Sequence, residues 1–259
     1  MFVLVFVLTG CGTGEINQNS TGLWDRYIVY YFGKAIEGLS FGYEGIGIIL
    51  FTLIIRILLL PLMNYQQKSM RKTQEIQPKL KELQETYASK DPDTVRKLQE
   101  EQQKLYSESG VNPLSGCLPL LVQLPIMMAL WQAISRIPTL TDGTFLWMEL
   151  GKPDPTYILP ILAAIFTFIS TKLNSMGQVN VQGTMKAMNY IMPAFILFMG
   201  INLASGLSLY WVVSNAFQVV QTLIINNPFK IRKEREMEEK RKKDLQKALR
   251  KANAPKKKK

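Results

Sequence analysis

One charged side chain lies in the middle of an otherwise apolar run. The run extends over residues 45–63, and Arg56 is its only ionisable residue. At about 1.5 Å per residue, a helix of this length crosses a hydrocarbon core of roughly 30 Å. An arginine at that depth costs about 2.5–3.5 kcal/mol on insertion scales, so water, polar side chains or an anion must solvate it. The chemistry that Arg56 offers is therefore electrostatic attraction of an anionic group.

The composition gives little support to catalytic or metal chemistry. The chain contains no histidine, which excludes Ser-His and Cys-His pairs and histidine-ligated zinc sites. Neither a G-x-S-x-G motif nor a glycine-rich phosphate loop occurs in the sequence. We therefore predict that the protein is not an enzyme and that it holds no metal ion.

Four more apolar runs of membrane-spanning length follow the first. They cover residues 113–135, 156–173, 187–203 and 206–226. None of the five runs contains aspartate or glutamate, so no acid within the spans can pair with Arg56. The pattern predicts an all-α polytopic membrane protein with five transmembrane helices.

Lysine and arginine residues predict the orientation of these spans. Segment 64–112 carries nine basic residues, and segment 228–259 carries 15 of the 31 in the chain against five acidic residues. Because basic segments stay in the cytoplasm, both segments are predicted to lie inside. Segment 136–155 is then an outer loop and 174–186 a cytoplasmic loop. Segment 64–112 reads as a helical hairpin, with thin apolar stripes and a turn at Lys90-Asp91-Pro92-Asp93.

The first residues form a short apolar run that ends in Leu8-Thr9-Gly10-Cys11. This predicts a lipoprotein signal peptide over residues 1–11, palmitate-type lipidation of Cys11 and an outer N-terminus, although no basic residue precedes the run. A hydrophobic terminus without that role is the alternative. Residues 12–44 are predicted to form an outer linker and an amphipathic helix, which lies in the membrane interface or packs as an ordinary helix.

Uncharged polar residues are concentrated in the inner halves of the third and fifth spans. Thr52 lies one turn outward of Arg56, and Gln123 lies near the middle of the second span. The candidates are Thr52, Gln123, Thr167, Thr171, Asn215 and Gln218. We predict that they line a hydrophilic groove that contains Arg56, opens to the cytoplasm and is closed to the outside. The alternative is that they only join helices, each contributing about 0.6 kcal/mol.

A groove of this kind favours the sheltering of another chain's polar segment while its apolar part moves sideways into lipid. A one-sided cavity makes a poor channel, and the spans lack the carboxylates of ion-coupled transporters. The unpaired cation would attract acidic residues of the guest chain. A transporter or channel for a small anionic solute is the alternative function.

Short motifs occur in a defined order between about residues 23 and 227. They include Ile55-Arg56 with Leu60-Pro61-Leu62, Gly110-Val111-Asn112-Pro113-Leu114, Gly116-Cys117, Gln123-Leu124-Pro125, Phe145-Leu146-Trp147, Asp154-Pro155, Tyr157-Ile158-Leu159-Pro160, Gly206-Leu207, Tyr210-Trp211 and Ser214-Asn215. As an ordered set they resemble the YidC/Oxa/Alb family of membrane protein insertases, in its five-span Gram-positive lipoprotein form.

The resemblance implies an insertase and chaperone in the bacterial cell membrane that works alone or with the Sec translocon, without a cofactor or ATP. It implies that Arg56 receives acidic segments of single- and double-spanning nascent clients. Thr52 and the pair Tyr210-Trp211 match positions that contact the guest helix. The hairpin would capture clients, and the basic tail would dock on the ribosome.

The basic tail also has readings that do not depend on the resemblance. Its cations would bind ribosomal RNA phosphates with a strong salt dependence. They would equally bind anionic lipids, at about 1 kcal/mol per cation near the surface. A merely solvated tail is the third reading.

Overall fold

The computed structural model of the chain describes residues 14–112, 118–176, 183–225 and 227–252. The predicted signal peptide 1–11, its lipidation site Cys11 and the motif residues 113–117 lie outside that part of the chain. A π-helical turn, Asp25–Val29, leads into the first α-helix. The α-helices are α1 (Tyr30–Gly38), α2 (Glu44–Leu58), α3 (Leu60–Glu75), α4 (Gln77–Thr86), α5 (Pro92–Glu108), α6 (Leu118–Arg136), α7 (Pro138–Thr141), α8 (Ile158–Met176), α9 (Gly183–Ile201), α10 (Ser205–Ile225) and α11 (Pro228–Ala252).

A two-stranded antiparallel ribbon, β1 (Thr144–Phe145) and β2 (Met148–Glu149), follows α7. Leu146, in the turn between the strands, has a φ of 54°, which is rare for a residue other than glycine. The ribbon adds a small β element to the predicted all-α fold. Together with the π-helical turn, α1 and α7 it forms what we call the capping layer, at one end of the long helices.

The long helices meet the capping layer with alternating direction. A Cβ on Gly45, at the start of α2, would collide with the Phe145 ring of β1. The amide of Gly206, at the start of α10, donates to the carbonyl oxygen of Leu150 (3.0 Å). The end of α9 contacts the start of α8, where a Cβ on Gly200 would lie 3.1 Å from Cβ of Pro160. Helices α2, α8 and α10 therefore begin at this end, whereas α6 and α9 finish there.

Judged by length and hydropathy alone, two of the described helices could cross a membrane, or three if a bent pair counts as one span. Helix α8 and the helical stretch that begins at Ser205 are long and apolar enough to cross a bilayer, and the bent pair α2–α3 makes a third candidate. The apolar part of α9, Ala187–Ile201, is shorter. The count of five spans therefore remains a prediction.

The main hydrophobic core lies next to the capping layer. Its largest fully buried apolar side chains belong to α1, α2, α6, α7, α10 and the residue that follows the ribbon, and they include Ile36, Ile48, Leu130, Ile134, Leu140, Leu150 and Leu207. Close approach of α1 to α2 depends on Gly47, because a Cβ there would collide with the carbonyl oxygen of Ile36. This end of the bundle is thus densely filled by apolar side chains.

The chain bends by 57° between α2 and α3. Pro61 lies in the first turn of α3, where it lacks an amide hydrogen and where its ring opposes continuation of the preceding helix. Beyond α3, helices α4 and α5 form a small separate cluster around Ile76, Leu80 and Val111. Asp91 begins α5 as its N-cap and accepts a hydrogen bond from the Thr94 amide (2.9 Å).

Asp154 organises the start of α8. Its buried carboxylate accepts hydrogen bonds from the Trp147 indole (3.0 Å), from the Thr156 amide and hydroxyl, and from the Leu159 amide (2.8 Å). Burial by itself raises the pKa of Asp154, but the hydrogen bonds outweigh it and hold that pKa below its usual value. The ribbon turn and the first turn of α8 therefore share one carboxylate.

The segment before α1 is fixed to the end of α6. A guanidinium nitrogen of Arg136 lies 2.7 Å from a carboxylate oxygen of Asp25, and both side chains are mostly buried. The Trp24 indole donates to the Gln132 side-chain oxygen (2.9 Å), and the Ile16 amide donates to the Arg136 carbonyl oxygen (3.0 Å). These contacts hold the π-helical turn against α6.

We expect Asp154→Asn to lower the apparent unfolding temperature in detergent at pH 7 by roughly 4–8 °C. An amide cannot accept all four hydrogen bonds, and each bond to a charged group contributes about 1.5–3 kcal/mol. Because the folded-state pKa is lowered, this contribution is present above the ordinary carboxyl pKa near 4 and is lost as pH falls through the folded value. The difference from wild type should therefore shrink at pH 3. The control is the exposed Asp142→Asn, and equal melting of the two variants at pH 7 would contradict the assignment.

We expect Asp25 and Arg136 to be energetically coupled. In a double-mutant cycle of Asp25→Asn and Arg136→Gln, each single change should destabilise the fold by about 2 kcal/mol, since it leaves a mostly buried charge without its partner. The double variant should lose much less than the sum of the two. Thermal unfolding of all four proteins measures the coupling, and strict additivity would show that the pair does not act as a unit.

Candidate functional site

Arg56 lies in the last turn of α2, between two different surfaces. Phe51 and Thr52, on the preceding turn, are buried against the bundle. Ile57 and Leu58, next to Arg56, are exposed by 55% and 68%, as expected of side chains that face lipid. The Arg56 side chain itself is only partly buried. Part of the Arg56 residue thus remains accessible at the edge of the bundle interior.

Tyr210 and Gln123 bring two further helices to Arg56. Arg56 and Tyr210 are close enough to interact electrostatically. The Gln123 side-chain nitrogen donates to the Tyr210 hydroxyl oxygen (2.6 Å), which links α6 to α10. Across the described ranges, no acidic side chain forms an ion pair with Arg56. Three helices therefore meet around a cation without a carboxylate partner.

The next polar residues of α10 are partly exposed. The Asn215 side chain donates to the Trp211 carbonyl oxygen (2.9 Å), and the Gln218 side chain reaches the Thr222 hydroxyl (3.4 Å). Trp211, Asn215 and Gln218 are each half-buried, whereas Tyr210 is 2% exposed. The partly exposed side chains of α10 continue from Arg56 toward the uncapped end.

Three predicted groove threonines use their hydroxyls within their own helices. Thr52 donates to the Ile48 carbonyl oxygen (2.6 Å), Thr167 to that of Ala163 (2.7 Å) and Thr171 to that of Thr167 (2.9 Å). Thr52 and Thr167 are buried, and Thr171 is partly exposed. The structure therefore brings Arg56, Gln123 and Tyr210 together, while Thr52 and Thr167 lie inside helix contacts.

Several buried polar groups lack a hydrogen-bond partner among the described residues. They are the Gln66 and Gln221 side-chain amides, the Ser208 and Ser214 hydroxyls and the Asn64 side-chain oxygen. Sequence reasoning missed Asn64, Gln66 and Ser208. It assigned residues 64 and 66 to the cytoplasmic helical hairpin, and only the bend after Leu58 shows that Gln66 is buried. Such groups usually bind water or a ligand.

The part of the chain that the structure describes contains no candidate metal-binding site. No group of three or more histidine, cysteine, aspartate or glutamate side chains there could hold a metal ion. The functional geometry is instead a cation (Arg56), a phenol (Tyr210) and one amide (Gln123) at the junction of α2, α6 and α10. This arrangement attracts and hydrogen-bonds anionic or peptide groups.

The chain is similar to known proteins over most of its length. The family model described as "60Kd inner membrane protein" matches residues 37–234. A membrane protein insertase YidC from Enterococcus faecalis is 66% identical over 259 residues, which cover 100% of this chain and 94% of that relative. A membrane protein insertase YidC 1 from Lactococcus lactis is 53% identical over 249 residues, 96% of this chain and 92% of the relative.

A solved structure agrees with these relatives. A crystal structure described as an active YidC insertase with its first transmembrane domain resolved matches with a TM-score of 0.60 and 31% identity. The match covers 79% of this chain and 47% of the solved one, so this chain spans about half the length of that protein. By the family model, the relatives and the fold, the chain is a bacterial membrane protein that belongs to the YidC family of membrane protein insertases.

Proposed function

We propose that the protein inserts and helps to fold integral membrane proteins, and that a groove containing Arg56 receives the acidic, hydrophilic segment of the client. The observation that carries the proposal is that Arg56, a partly buried residue beside Tyr210 and Gln123, has no acidic partner in the described chain. A client carboxylate would supply the missing charge. In a wall of low dielectric that attraction is stronger than in water.

The distribution of apolar and polar groups supports a one-sided groove. Apolar side chains fill the capped end, among them Ile48, Ile134 and Leu207. The partly exposed Asn215 and Gln218 and the unpartnered Gln221 amide lie toward the other end of α10. A polar segment would thus enter from the uncapped end and stop at the core. The same closure disfavours a transporter or channel for a small anionic solute, because the solute would have to cross that core.

The membrane placement belongs to the same proposal. The capped end faces outward with the N-terminus, Cys11 is lipidated, and α11 with the rest of the basic tail lies in the cytoplasm. This orientation follows from the lysine and arginine bias of segments 64–112 and 228–259. Clients would arrive as nascent chains from the ribosome or the Sec translocon, and neither ATP nor a cofactor is required.

We expect Arg56→Lys to keep most insertion activity and Arg56→Glu to reduce it at least tenfold for a client with an acidic outer segment. Lysine retains the charge, whereas glutamate repels the client, and about 1.4 kcal/mol already corresponds to tenfold. The measurement is insertion of a purified single-span client into liposomes, read by protease protection. Equal insertion by wild type and Arg56→Glu would falsify the electrostatic mechanism.

Two controls separate this mechanism from a loss of fold or a different function. Arg232→Gln removes the same charge from an exposed site on α11, outside the groove and the hairpin, and should leave insertion of the purified client unchanged, whereas Arg56→Gln should reduce it. A client whose outer acids are replaced by amides should lose its dependence on residue 56. Flux of a small anion through the same liposomes, abolished by Arg56→Gln, would favour the transporter.

The role of the tail is tested by charge. Replacing Lys240, Arg241, Lys242 and Lys243 of α11 by glutamine should weaken ribosome binding and reduce its logarithmic salt slope by up to about 3, if all four contact RNA phosphates. Replacing the exposed Lys79, Lys81, Lys97 and Lys104 by glutamine removes the same charge elsewhere. Co-sedimentation of ribosomes with protein in zwitterionic nanodiscs measures the slope. Equal slopes for both variants, with loss only of anionic-lipid binding by the tail variant, would assign the tail to lipid.

A further inference from the structure

The capping layer contains a basic and aromatic cleft of about 490 Å³. The π-helical turn and α1 form its floor, and linker residues 18–19 form one wall. Its charged side chains are Arg26 and Lys34, and its rings are Tyr27, Tyr30 and Tyr31. Both cations are exposed, so the cleft opens at the surface of the protein.

The π-helical turn aligns the cations. The spacing between Arg26, Tyr30 and Lys34 is four residues at each step. Four residues make less than one full turn of a π-helix and more than one full turn of an α-helix. The two deviations oppose each other, and the three side chains therefore lie along one line. The Arg26 guanidinium carbon is 5.7 Å from the Tyr27 ring centre, and the Lys34 ammonium nitrogen is 5.9 Å from that of Tyr30. Each cation is thus placed over a ring.

The cleft keeps a positive charge that its neighbours do not neutralise. Arg26 forms no ion pair within the described ranges. Its neighbour Asp25 is already bound to Arg136 (2.7 Å), and Lys34 is paired with Glu37 (2.7 Å). One guanidinium therefore remains available for an anion from outside the chain.

We propose that this cleft binds the phosphate of an anionic phospholipid at the bilayer surface beside the capping layer. The guanidinium fork of Arg26 matches phosphate oxygens. Tyrosine side chains favour the headgroup region of a bilayer. Tyr27 and Tyr31 are 57% and 59% exposed, and the neighbouring Leu23 is also exposed. The net charge selects an anionic headgroup over a zwitterionic one. The proposal depends on the membrane placement of the bundle but not on client insertion.

The test uses the full chain in nanodiscs that mix phosphatidylglycerol with phosphatidylcholine. Native mass spectrometry counts the phosphatidylglycerol that the protein retains, for the double variant Arg26→Gln, Lys34→Gln and for the control Lys97→Gln, Lys104→Gln on exposed α5. We expect one retained lipid to be lost only in the cleft variant. Its apparent affinity should fall at least about fivefold, since the unpaired Arg26 contributes about 1 kcal/mol. Gel filtration and melting of both variants confirm that they fold.

Each of the other outcomes overturns the proposal. Equal lipid retention by the cleft and control variants assigns all binding to other sites, such as the tail. Release of the lipid from the wild type by millimolar inorganic phosphate would make the cleft a site for free phosphate. Crosslinking of residue 26 to a client's acidic segment, with no change in lipid retention, would make it a protein contact. Insertion into phosphatidylcholine liposomes tests the proposed function separately, since it does not require this lipid.

Discussion

The cost of placing a guanidinium in a hydrophobic layer is the constraint on which the rest of the structure depends. Arg56 follows two turns of apolar side chains on α2, and the described chain offers it no carboxylate. A phenol and an amide cannot neutralise its charge, so it must remain in contact with water, lipid phosphate or a guest. The position of Arg56 at the edge of the bundle, only partly buried, satisfies that requirement. Had Arg56 been as buried as Thr52, the fold would have had to supply an acid.

The bundle divides into an apolar end and a polar end, and the division follows from how each end is closed. At the capped end, α1, α7 and the ribbon add large side chains such as Ile36 and Leu140 to the helix starts. The Asp154 carboxylate accepts hydrogen bonds from the Thr156 and Leu159 amides at the start of α8. These amides, which have no partner within the helix, therefore do not need solvent. At the other end no such layer exists among the described residues. The polar groups there belong to side chains, such as Asn215, Gln218 and Gln221 of α10. Under the proposed function, a client segment that entered from the polar end would stop at this apolar core, as an insertase requires and a channel does not.

The main features of the fold could be predicted from the sequence, but the details of the site could not. The apolar runs, the unpaired Arg56 and the motif that contains Asp154 are local in sequence, and helical periodicity carries them into the structure. The polar faces of α8 and α10 were also readable, but their partners were not. Whether Thr167 faces a groove or a neighbouring helix depends on the rotation of α8, which hydropathy does not specify. The π-helical turn and the left-handed conformation of Leu146 could not be read from the sequence. No residue type specifies a π-helix, and leucine rarely adopts a positive φ.

The bend after Leu58 links the solvation of Arg56 to the polar end. A straight helix would carry Asn64 and Gln66 away from the bundle, whereas Pro61 turns the chain by 57° and leaves Gln66 3% exposed. The Gln66 amide, like that of Gln221, then has no hydrogen-bond partner among the described residues. Each such group costs about 1–3 kcal/mol unless water or a guest peptide binds it. Water at these amides would also hydrate the approach to Arg56, and an extended client backbone carries the donors and acceptors that could replace it. Pro61, near the end of the apolar run, thus brings unpartnered amides to the polar end, where the proposed function would have a hydrophilic segment replace water without losing hydrogen bonds.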